Sequence, residues 1–452
     1  MNKVRSRTWI LLLLLAALIA GITFYVVKYV RHGAEWASFS ANNGYYSGGV
    51  LAVGTVKDRN GVVLSEYEDG KRLYADDKTT RISTLHAVGD RYGYIGTGAL
   101  KVFAPKLVGY DLINGSYSLR SGGNDLYLTI DAELNNVAYK ALDGRKGVVA
   151  VCNYKTGEIL CMVSAPSYDP SNPPDSFDDG KYEGVFINRF LSSTYTPGST
   201  FKLVTSIAAI ENLPDWKSLH FDCDGSEEIG GSAINCTNAH GELDMEGALA
   251  YSCNVAYGQI AVKLGAETLM ETAERLGLTE RQSVDGISTS KGSFVLPEND
   301  NQLAWAGIGQ FKDQISPAAM LRFVSAIANG GKAEELRLVH KVRSSVGLPA
   351  GFTGIGKEAV LFSSETADIL ADMMANNVKE VYGSKKFPGL DLCAKSGTAE
   401  VGGGKEPHAL FTGFLRDEKT PYAFIVIVEN GGRGSSVAGN VANQVLQKAV
   451  AE

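Results

Sequence analysis

The sequence is organised around Thr196-Pro197-Gly198-Ser199-Thr200-Phe201-Lys202, where a Pro-Gly turn leads into the apolar run 203–210. Such a run after a turn is typical of a buried helix. If the helix begins near Ser199, Lys202 lies one turn further along the same face, so its amine can reach the serine hydroxyl. Free backbone N–H groups at a helix N-terminus also favour negative charge on a bound acyl oxygen. The stretch therefore indicates a serine nucleophile with a lysine base; the alternative is an N-cap serine followed by a surface lysine.

A second Ser-x-x-Lys match shows that the spacing alone decides little. Ser288-Thr289-Ser290-Lys291 lies in a polar stretch with no helical run behind it. Ser199 differs because an apolar run follows it and two further motifs occur downstream. Ser199 and Lys202 are therefore the candidate catalytic pair.

The size and charge of the chain limit its function class. Its 452 residues, 44% apolar and 21% charged, are enough for two domains with cores of their own. The net charge is -7, and no cluster of Lys and Arg occurs beyond the extreme N-terminus. This composition argues against nucleic acid as a partner.

The segment from Trp9 to Val27 contains no residue that is charged at neutral pH. As a helix it would span about 28 Å, close to the hydrocarbon thickness of a bilayer. We expect residues 1–31 to form a cytoplasmic tail and a transmembrane anchor, and the remainder to be exported. A cleaved signal peptide is the alternative, but Leu18-Ile19-Ala20 is a poor cleavage site and the apolar run is long for such a peptide. Flanking basic residues favour a cytoplasmic N-terminus only slightly; they are Lys3, Arg5 and Arg7 before the segment and Lys28 and Arg31 after it.

Six cysteines in an exported chain permit disulfides. Cys223 and Cys236 are the favoured pair, because they would close a short loop rich in Gly and Ser. His220 and His240 flank them at a spacing close to that of zinc ligands. We expect a disulfide or free thiols and no metal, because ligand-like spacing recurs by chance. Cys253 is interpreted as a small buried residue.

Residues 32–130 are predicted to form a linker and a small β-rich module. The linker is rich in Gly, Ser, Asn and Tyr up to Val50, and residues 54–64 carry two β-prone runs around Asn60-Gly61. An Asn-Gly turn between such runs is a strong hairpin signal.

Residues 131–452 are predicted to form one α/β (α+β) domain. Helical periodicity begins after Asp131, and two apolar strands, 147–152 and 158–163, follow as a hairpin. The middle of the domain is mainly helical. Three further strands and a closing helix complete the chain; they span 390–398, 408–415, 422–429 and 441–451. This order predicts one antiparallel sheet built from both ends of the domain, with helices on its faces.

Three motifs occur in order along this domain: Ser199-Thr200-Phe201-Lys202, Ser252-Cys253-Asn254 and Lys395-Ser396-Gly397-Thr398. Serine β-lactamases and penicillin-binding proteins share S-x-x-K, Ser-x-Asn type and K-[ST]-G elements. The chain resembles a class B penicillin-binding protein, a membrane-anchored D,D-transpeptidase of cell-wall synthesis. Neighbouring segments support the resemblance; they are Asn188-Arg189, Pro197-Gly198, Ala328-Asn329-Gly330 and the 54–61 stretch, which is similar to the GxxxDRNG of class B N-terminal modules.

The resemblance implies a serine β-lactamase/transpeptidase-like fold and an acyl-serine reaction without metal or organic cofactor. The implied substrate is a peptidoglycan stem peptide ending in D-alanyl-D-alanine. Ser199 would displace the terminal D-alanine, and an amine of a second peptide would then form the crosslink. β-Lactams would acylate the same serine. The implied location is the bacterial cell membrane with the catalytic domain outside, and glycan polymerisation is expected from a separate glycosyltransferase because the chain has no room for such a domain.

Elementary chemistry suggests roles for four polar residues of the first two motifs: Ser199, Lys202, Ser252 and Asn254. Lys202 can accept the proton of Ser199 only when it is neutral, and burial beside Lys395 lowers its pKa in that direction. Ser252 can relay a proton between the lysines and the leaving amine. Asn254 offers amide donors and an acceptor to the substrate backbone.

The strand that carries Lys395 is expected to bind the substrate. Gly397 would leave room for a peptide along an edge strand, and the hydroxyls of Ser396 and Thr398 would bind the terminal carboxylate. The backbone N–H groups of Ser199 and Thr398 would form an oxyanion hole.

Other functions fit the same three motifs. A D,D-carboxypeptidase or a β-lactamase shares the fold, and a non-catalytic scaffold would keep the site only to bind β-lactams or peptides. Class A β-lactamases need a glutamate for deacylation, and Glu298 near Asn301 is in the wrong local context, while the class D pattern has an apolar residue at the position of Asn254. The chain departs from the transpeptidase family at Phe311, where a glycine is usual, and at Ser396, which replaces the commoner threonine.

Overall fold

The computed structural model describes residues 2–39, 41, 45–111, 116–117, 123–350 and 356–451. Helices and strands are numbered in chain order. The strands are β1 (Tyr46–Ser47), β2 (Val50–Leu51), β3 (Thr55–Lys57), β4 (Val63–Glu68), β5 (Lys71–Tyr74), β6 (Tyr110–Asp111), β7 (Ser116–Tyr117), β8 (Asp125–Leu128), β9 (Gly147–Asn153), β10 (Ile159–Ala165), β11 (His220–Cys223), β12 (Ser226–Ile229), β13 (Ser232–Asn235), β14 (Gly241–Asp244), β15 (Ser283–Val284), β16 (Ile287–Ser288), β17 (Lys332–Ala333), β18 (Val339–Arg343), β19 (Ala359–Val360), β20 (Leu392–Ala399), β21 (His408–Leu415) and β22 (Tyr422–Val428). The α-helices are α1 (Asn2–Ala37), α2 (Lys78–Ser83), α3 (Leu85–Val88), α4 (Ala99–Val102), α5 (Ala104–Val108), α6 (Ala132–Leu142), α7 (Arg189–Ser192), α8 (Lys202–Asn212), α9 (Met245–Ala250), α10 (Asn254–Leu264), α11 (Ala266–Arg275), α12 (Asp300–Gly307), α13 (Pro317–Ala328), α14 (Ser364–Asn377) and α15 (Val437–Val450).

Helix α1 carries the apolar segment predicted as a membrane anchor. Of the helices in the described ranges, only Lys3–Gly33 within α1 is long and apolar enough to cross a membrane. Its most apolar part is not buried against the rest of the protein. The helix extends past the segment 9–27 on both sides, because polar flanks can continue the backbone hydrogen bonds of a helix.

The main sheet has the strand order β10-β9-β22-β21-β20 and is antiparallel throughout. Pairing of β9 with β22 joins the hairpin to the C-terminal strands, with Val148 opposite Ile427 and Ala150 opposite Ile425. This confirms the predicted sheet built from both ends of the domain. Strand β20 forms one edge, so one side of it is free of strand partners.

Helices cover both faces of this sheet, which explains why its strands are almost entirely apolar. Along β9, Val149 and Val151 pack in the core that contains α6 and α15. Val148 and Ala150 belong to the opposite core, which contains α8 and α13. Alternate residues of one strand therefore serve two cores, and α8 lies in the larger of them.

Residues of the predicted N-terminal module and of the predicted main domain share a second five-stranded sheet, with the order β18-β8-β3-β4-β5. Strand β3 pairs with β4 across the Asn60-Gly61 turn, as the Asn-Gly signal predicted. Strand β8 runs parallel to β3 and antiparallel to β18, which comes from the C-terminal half of the chain. Backbone hydrogen bonds therefore continue from the module into the main domain.

A polar turn also ties the module to the first helix of the main domain. Asp58 accepts the backbone N–H of Ala132 over 3.1 Å through Oδ2. Its Oδ1 accepts the N–H groups of Asn60 and Val62. Asn60 donates to the carboxylate of Asp131 over 2.6 Å, and Asp131 caps α6, which begins directly after it as the sequence predicted.

Replacing Asp58 with alanine is expected to destabilise the protein, because three backbone N–H groups lose their acceptor at a residue that is 1% exposed. Ala132 is buried whereas Asn60 and Val62 are exposed, and a buried N–H left without a partner costs about 1–3 kcal/mol. The thermal unfolding midpoint of the full chain in detergent should therefore fall by several degrees. Asp76→Ala removes an exposed carboxylate and is the matched control. An unchanged midpoint for Asp58→Ala would show that the turn does not fasten the module.

Candidate active site

Ser199 lies in a single turn of 3-10 helix, Gly198–Phe201, that leads directly into α8. A 3-10 helix has three residues per turn, so Ser199 and Lys202 lie on the same side of the chain. The Ser-x-x-Lys spacing predicted this shared side, although the turn is tighter than the α-helical one that we expected.

Two glycines allow the serine turn to approach the edge strand β20. Gly198 has a φ of +53°, and a Cβ at this position would lie 2.7 Å from the carbonyl oxygen of Thr398. A Cβ at Gly397 would lie 2.9 Å from Thr200 Cγ2 and 3.0 Å from Pro197 O. We expected Gly397 to leave room for a bound peptide, but the structure fills the space beside it with the serine turn.

Two lysine amines converge on the hydroxyl of Ser252. Its Oγ lies 3.1 Å from Nζ of Lys202 and 3.0 Å from Nζ of Lys395. Lys202 also donates to Ser252 O over 2.5 Å and to Asn254 Oδ1 over 2.8 Å. Neither lysine has any exposed surface. The structure thus brings one residue of each motif to a single point in the protein interior.

Burial lowers the pKa of both lysines. The pKa of Lys202 falls to about 7. The pKa of Lys395 also falls well below its ordinary value because of burial, and the positive charge on Lys202 lowers it further. We had expected burial and the neighbouring cation together to lower the pKa of Lys202; burial does so, and the charge effect lowers the pKa of Lys395 instead. Part of the Lys202 population is therefore uncharged at neutral pH.

The predicted hydrogen bond between Ser199 and Lys202 is not formed. Within the described part of the chain, the Lys202 amine donates to Ser252 and Asn254, and no hydrogen bond joins it to Ser199. Catalytic hydrogen bonds often form only when a substrate is in place. The structure therefore positions Lys202 beside the serine turn and holds its amine against the middle motif.

Ser252 has a left-handed backbone conformation, with φ of +56°. This region costs a non-glycine residue about 1–2 kcal/mol. The hydrogen bond from Lys202 to Ser252 O holds one side of the loop, and Asn254 Nδ2 holds the other by donating to Asn235 O over 2.7 Å. The strained residue is thus the one whose hydroxyl lies between the two lysines.

The three motifs border a cleft of about 760 Å³. Motif residues at its surface are Ser199, Ser252, Asn254, Ser396 and Thr398; the others are Asn235, Cys236, Thr237, Ala250, Tyr251, Trp305, Gln310, Phe311, Val381, Tyr382, Glu400, Arg433 and Ser435. Phe311, one of the two residues that depart from the family pattern, adds an aromatic side chain to the wall. The cleft therefore combines polar groups at the motifs with apolar walls, which is typical of a ligand site.

Edge strand β20 directs backbone groups toward the cleft. The N–H of Ser396 points away from β21, because it donates to the hydroxyl of Tyr382 over 2.8 Å. Residues two apart on a strand point the same way, so we expect the N–H of Thr398 to do likewise. The carbonyl of Thr398 accepts a hydrogen bond from Gln310 Nε2 over 2.8 Å.

Sequence reasoning missed Tyr382 and Gln310. The hydroxyl of Tyr382, at the end of the π-helical turn Val378–Tyr382, lies 3.0 Å from Ser396 Oγ. No motif marks Tyr382, because it meets Ser396 through tertiary packing. Gln310 directly precedes Phe311, where the chain departs from the family pattern, so a signal for it was present.

All six cysteines have free thiols, so of the two expectations for Cys223 and Cys236, a disulfide or free thiols, the structure has the free thiols. Cys236 Sγ lies 3.7 Å from Cys253 Sγ, and Cys223 Sγ lies 3.4 Å from His240 Nδ1. These four side chains, hereafter the thiol cluster, are close enough together to hold a metal ion. His220, which we had grouped with them, is exposed and lies outside the cluster.

Comparison with known proteins agrees with this geometry. The profile of the penicillin binding protein transpeptidase domain matches residues 147–447. Peptidoglycan D,D-transpeptidase PbpA of Mycobacterium tuberculosis is 26% identical over 359 residues, which cover 73% of this chain and 72% of that protein. Peptidoglycan D,D-transpeptidase MrdA of Acinetobacter baumannii is 27% identical over 360 residues, which cover 70% of this chain and 52% of that protein.

Solved structures share the fold over most of the chain. Penicillin-binding protein A from Mycobacterium tuberculosis, as a ceftriaxone acyl-enzyme complex, matches with a TM-score of 0.78 and 24% identity over 88% of this chain and 98% of that one. The D,D-transpeptidase domain of a peptidoglycan glycosyltransferase from Eggerthella lenta matches with a TM-score of 0.73 and 26% identity over 88% of this chain and 98% of that one. The family profile covers more than half of the chain, and one apolar helix precedes the matched part. The chain therefore belongs to the penicillin-binding protein transpeptidase family, as a class B member.

Proposed function

We propose that the chain is a peptidoglycan D,D-transpeptidase that crosslinks stem peptides through an acyl-enzyme on Ser199 and releases D-alanine. The observation that carries this proposal is the position of Ser252 Oγ, 3.1 Å from Nζ of Lys202 and 3.0 Å from Nζ of Lys395. A buried amine with a pKa of about 7 is a base matched to neutral pH. The relatives named as peptidoglycan D,D-transpeptidases support the same reaction.

In the first step, uncharged Lys202 takes the proton of Ser199 as Oγ attacks the carbonyl carbon of the penultimate D-alanine. The C–N bond to the terminal D-alanine then breaks, and the leaving nitrogen receives a proton from the lysine pair through Ser252. The acyl group remains as an ester on Ser199. Ser252 suits this relay because a hydroxyl donates and accepts at once.

Backbone groups and the edge strand would hold the substrate. The N–H groups of Ser199 and Thr398 would stabilise the oxyanion. The hydroxyls of Ser396 and Thr398 would bind the terminal carboxylate, and Gly397 lets the serine turn come close to them. Asn254 already accepts a hydrogen bond from Lys202 and donates one to Asn235. We therefore assign Asn254 first to holding the lysine amine.

In the second step, an amine of a neighbouring stem peptide attacks the ester carbon, which frees Ser199 and forms the crosslink. β-Lactams would acylate the same serine through their strained amide. We place the catalytic domain on the outer side of the membrane, with α1 as the anchor, because crosslinking acts on exported glycan strands. We expect a separate glycosyltransferase to supply those strands.

A β-lactamase or a D,D-carboxypeptidase would transfer the acyl group to water instead. Glu298 does not line the cleft. The side-chain amide of Asn301 donates hydrogen bonds to the carbonyls of Ile229 and Ser232. Within the described residues, Glu400 is the one acidic side chain that lines the cleft, and it is exposed. An exposed carboxylate does not hold a water molecule in a fixed position against the ester, so the arrangement favours a long-lived acyl-enzyme.

Ser199→Ala is expected to abolish covalent labelling by a fluorescent penicillin, because the attacking oxygen is removed. The matched control is Ser288→Ala, which changes the serine of the second Ser-x-x-Lys match and should label normally. Mass spectrometry of the adduct identifies the labelled peptide. Labelling that persists in Ser199→Ala would refute the assigned nucleophile. A short label lifetime in the wild type would favour a β-lactamase, and release of D-alanine without crosslinked product would favour a carboxypeptidase.

The rate constant of penicillin acylation is expected to rise with pH through about 7, because the uncharged fraction of Lys202 grows as the pH passes its pKa. Below that pH the protonated amine cannot accept the serine proton. Time-resolved labelling across this pH range measures the effect. Lys202→Arg should acylate poorly at every pH, because a guanidinium keeps its charge, whereas Lys291→Arg should behave as wild type. A flat wild-type profile would contradict Lys202 as the base.

Tyr382→Phe is expected to slow acylation by about 2–10-fold for each of the two hydrogen bonds to Ser396 that it removes. The variant keeps the ring but removes the hydroxyl that bonds the N–H and Oγ of Ser396. The second-order rate constant of penicillin labelling measures the effect. Tyr251→Phe, a hydroxyl deletion elsewhere on the cleft wall, is the control. Equal labelling rates for the two variants would show that Tyr382 does not position Ser396.

A further inference from the structure

Arg433 is the one basic side chain among the described residues that line the cleft. It is exposed, and within the described part of the chain its guanidinium has no hydrogen-bond or ion-pair partner. Glu400 lines the same cleft, yet the two side chains form no ion pair with each other. The reaction proposed above gives Arg433 no role. An unpaired positive charge therefore borders a site whose proposed substrate ends in a carboxylate.

The loop that carries Arg433 packs directly on the edge strand β20. This loop joins β22 to α15, and the N–H of Gly434 within it donates to Thr398 Oγ1 over 3.4 Å. A Cβ at Gly434 would lie 2.1 Å from the carbonyl oxygen of Gly397. The carbonyl of Arg433 accepts the N–H of Val437, the first residue of α15, over 2.9 Å. The backbone of Arg433 is thus held next to the strand that is proposed to bind the substrate.

The two hydroxyls assigned to the terminal carboxylate can each still donate a hydrogen bond. Tyr382 donates to Ser396 Oγ over 3.0 Å, and Gly434 donates to Thr398 Oγ1. A hydroxyl oxygen that accepts a bond keeps its own hydrogen for a further partner. Two neutral donors, however, leave the negative charge of a carboxylate without a cation.

The nearest motif cation is already engaged elsewhere. The Lys395 amine is buried, and it donates to Ser252 Oγ over 3.0 Å and to the carbonyl of Ser396 over 3.1 Å. The Arg433 guanidinium is free of such partners in the described residues. Its planar fork matches a carboxylate through two parallel hydrogen bonds. Arg433 therefore supplies the charge that the two hydroxyls lack.

The same group acts on the acceptor, because the second step is the reverse of the first with a different amine. The acceptor nitrogen forms the new C–N bond as the C–O bond to Ser199 breaks, and its proton passes through Lys202 to the serine oxygen. Departure of D-alanine vacates the carboxylate position beside that nitrogen. An amine on a carbon that bears a carboxylate fills this position again, whereas an amine without a neighbouring carboxylate leaves it empty.

We propose that Arg433 is a specificity-determining residue that binds a carboxylate in both steps: that of the terminal D-alanine in the first, and one beside the acceptor amine in the second. The inference rests on the proposed transpeptidase reaction and names its acceptor class. The acceptor is an amino-acid amine with its own carboxylate, rather than the terminal amine of an alkyl chain.

Acylation by a penicillin and by its methyl ester tests the first step, since the two differ only in the carboxylate. Arg433→Gln should lower the second-order rate constant for the free acid by about 10-fold, as expected for one charge-assisted hydrogen bond, and leave that for the ester unchanged. Arg433→Lys keeps the charge without the fork and should give an intermediate rate. Lys405→Gln is the matched control, because it removes an exposed cation that does not line the cleft.

Transfer of the acyl group to D-alanine and to D-alaninamide tests the second step. The acyl-enzyme is formed from a D-alanyl thioester peptide, and the two amines are compared at equal concentrations of their uncharged forms. Wild type should transfer about 10-fold faster to D-alanine. Arg433→Gln should abolish this preference, and Lys405→Gln should retain it.

Two kinds of result would overturn the role of Arg433. A structural defect would slow acid and ester equally in Arg433→Gln, and an idle side chain would leave both rates unchanged. Equal transfer to the two amines by wild type would overturn the acceptor class. Wild type that neither penicillin form labels would instead refute the acyl-serine reaction itself, so the two failures are distinguishable.

Discussion

Two lysine amines held out of water around one serine hydroxyl are the constraint on which this site depends. A pKa of about 7 for Lys202, in place of the ordinary 10.5, corresponds to a penalty on the order of 5 kcal/mol against its charged form. The surrounding fold must supply that energy. Helix α8 does so by lying in the larger core, and the ring of Tyr257 lies 5.5 Å from the Lys202 amine and offers its face to any remaining charge. The burial that disfavours the ammonium thus leaves part of the Lys202 population uncharged at neutral pH.

Access to these buried groups depends on how closely the serine turn approaches the edge strand. The positive φ of Gly198 and the missing side chain of Gly397 permit that approach, since a Cβ at either position would lie within 3.0 Å of a neighbouring atom. As a result Ser199 and Thr398 line the same cleft. The edge position of β20 leaves its outer backbone groups to Tyr382 and Gln310.

The turn at Asp58 and the thiol cluster stabilise helix N-termini in the same physical way. The turn at Asp58 accepts the first N–H of α6, and the sulfurs of Cys236 and Cys253 accept the first N–H groups of α10. In each case an anionic or polarisable acceptor satisfies the free donors of a helix N-terminus. Helix α6 supports the main sheet and α10 follows the middle motif, so both parts stabilise the site from outside it.

Taken alone, the sequence determined the anchor helix, the order of the three motifs and the sheet built from both ends of the domain. These features follow from local apolar periodicity, turn residues and spacing, which neighbouring residues along the chain decide. Tertiary structure alone decided that Lys395 meets Ser252 from 143 positions away, that Tyr382 bonds Ser396 and that Cys253 rather than His220 joins the thiol cluster. It also decided that the Lys202 amine turns to Asn254 and not to Ser199. Those contacts join segments whose distance depends on how the helices pack on the sheet, and no local pattern encodes that packing.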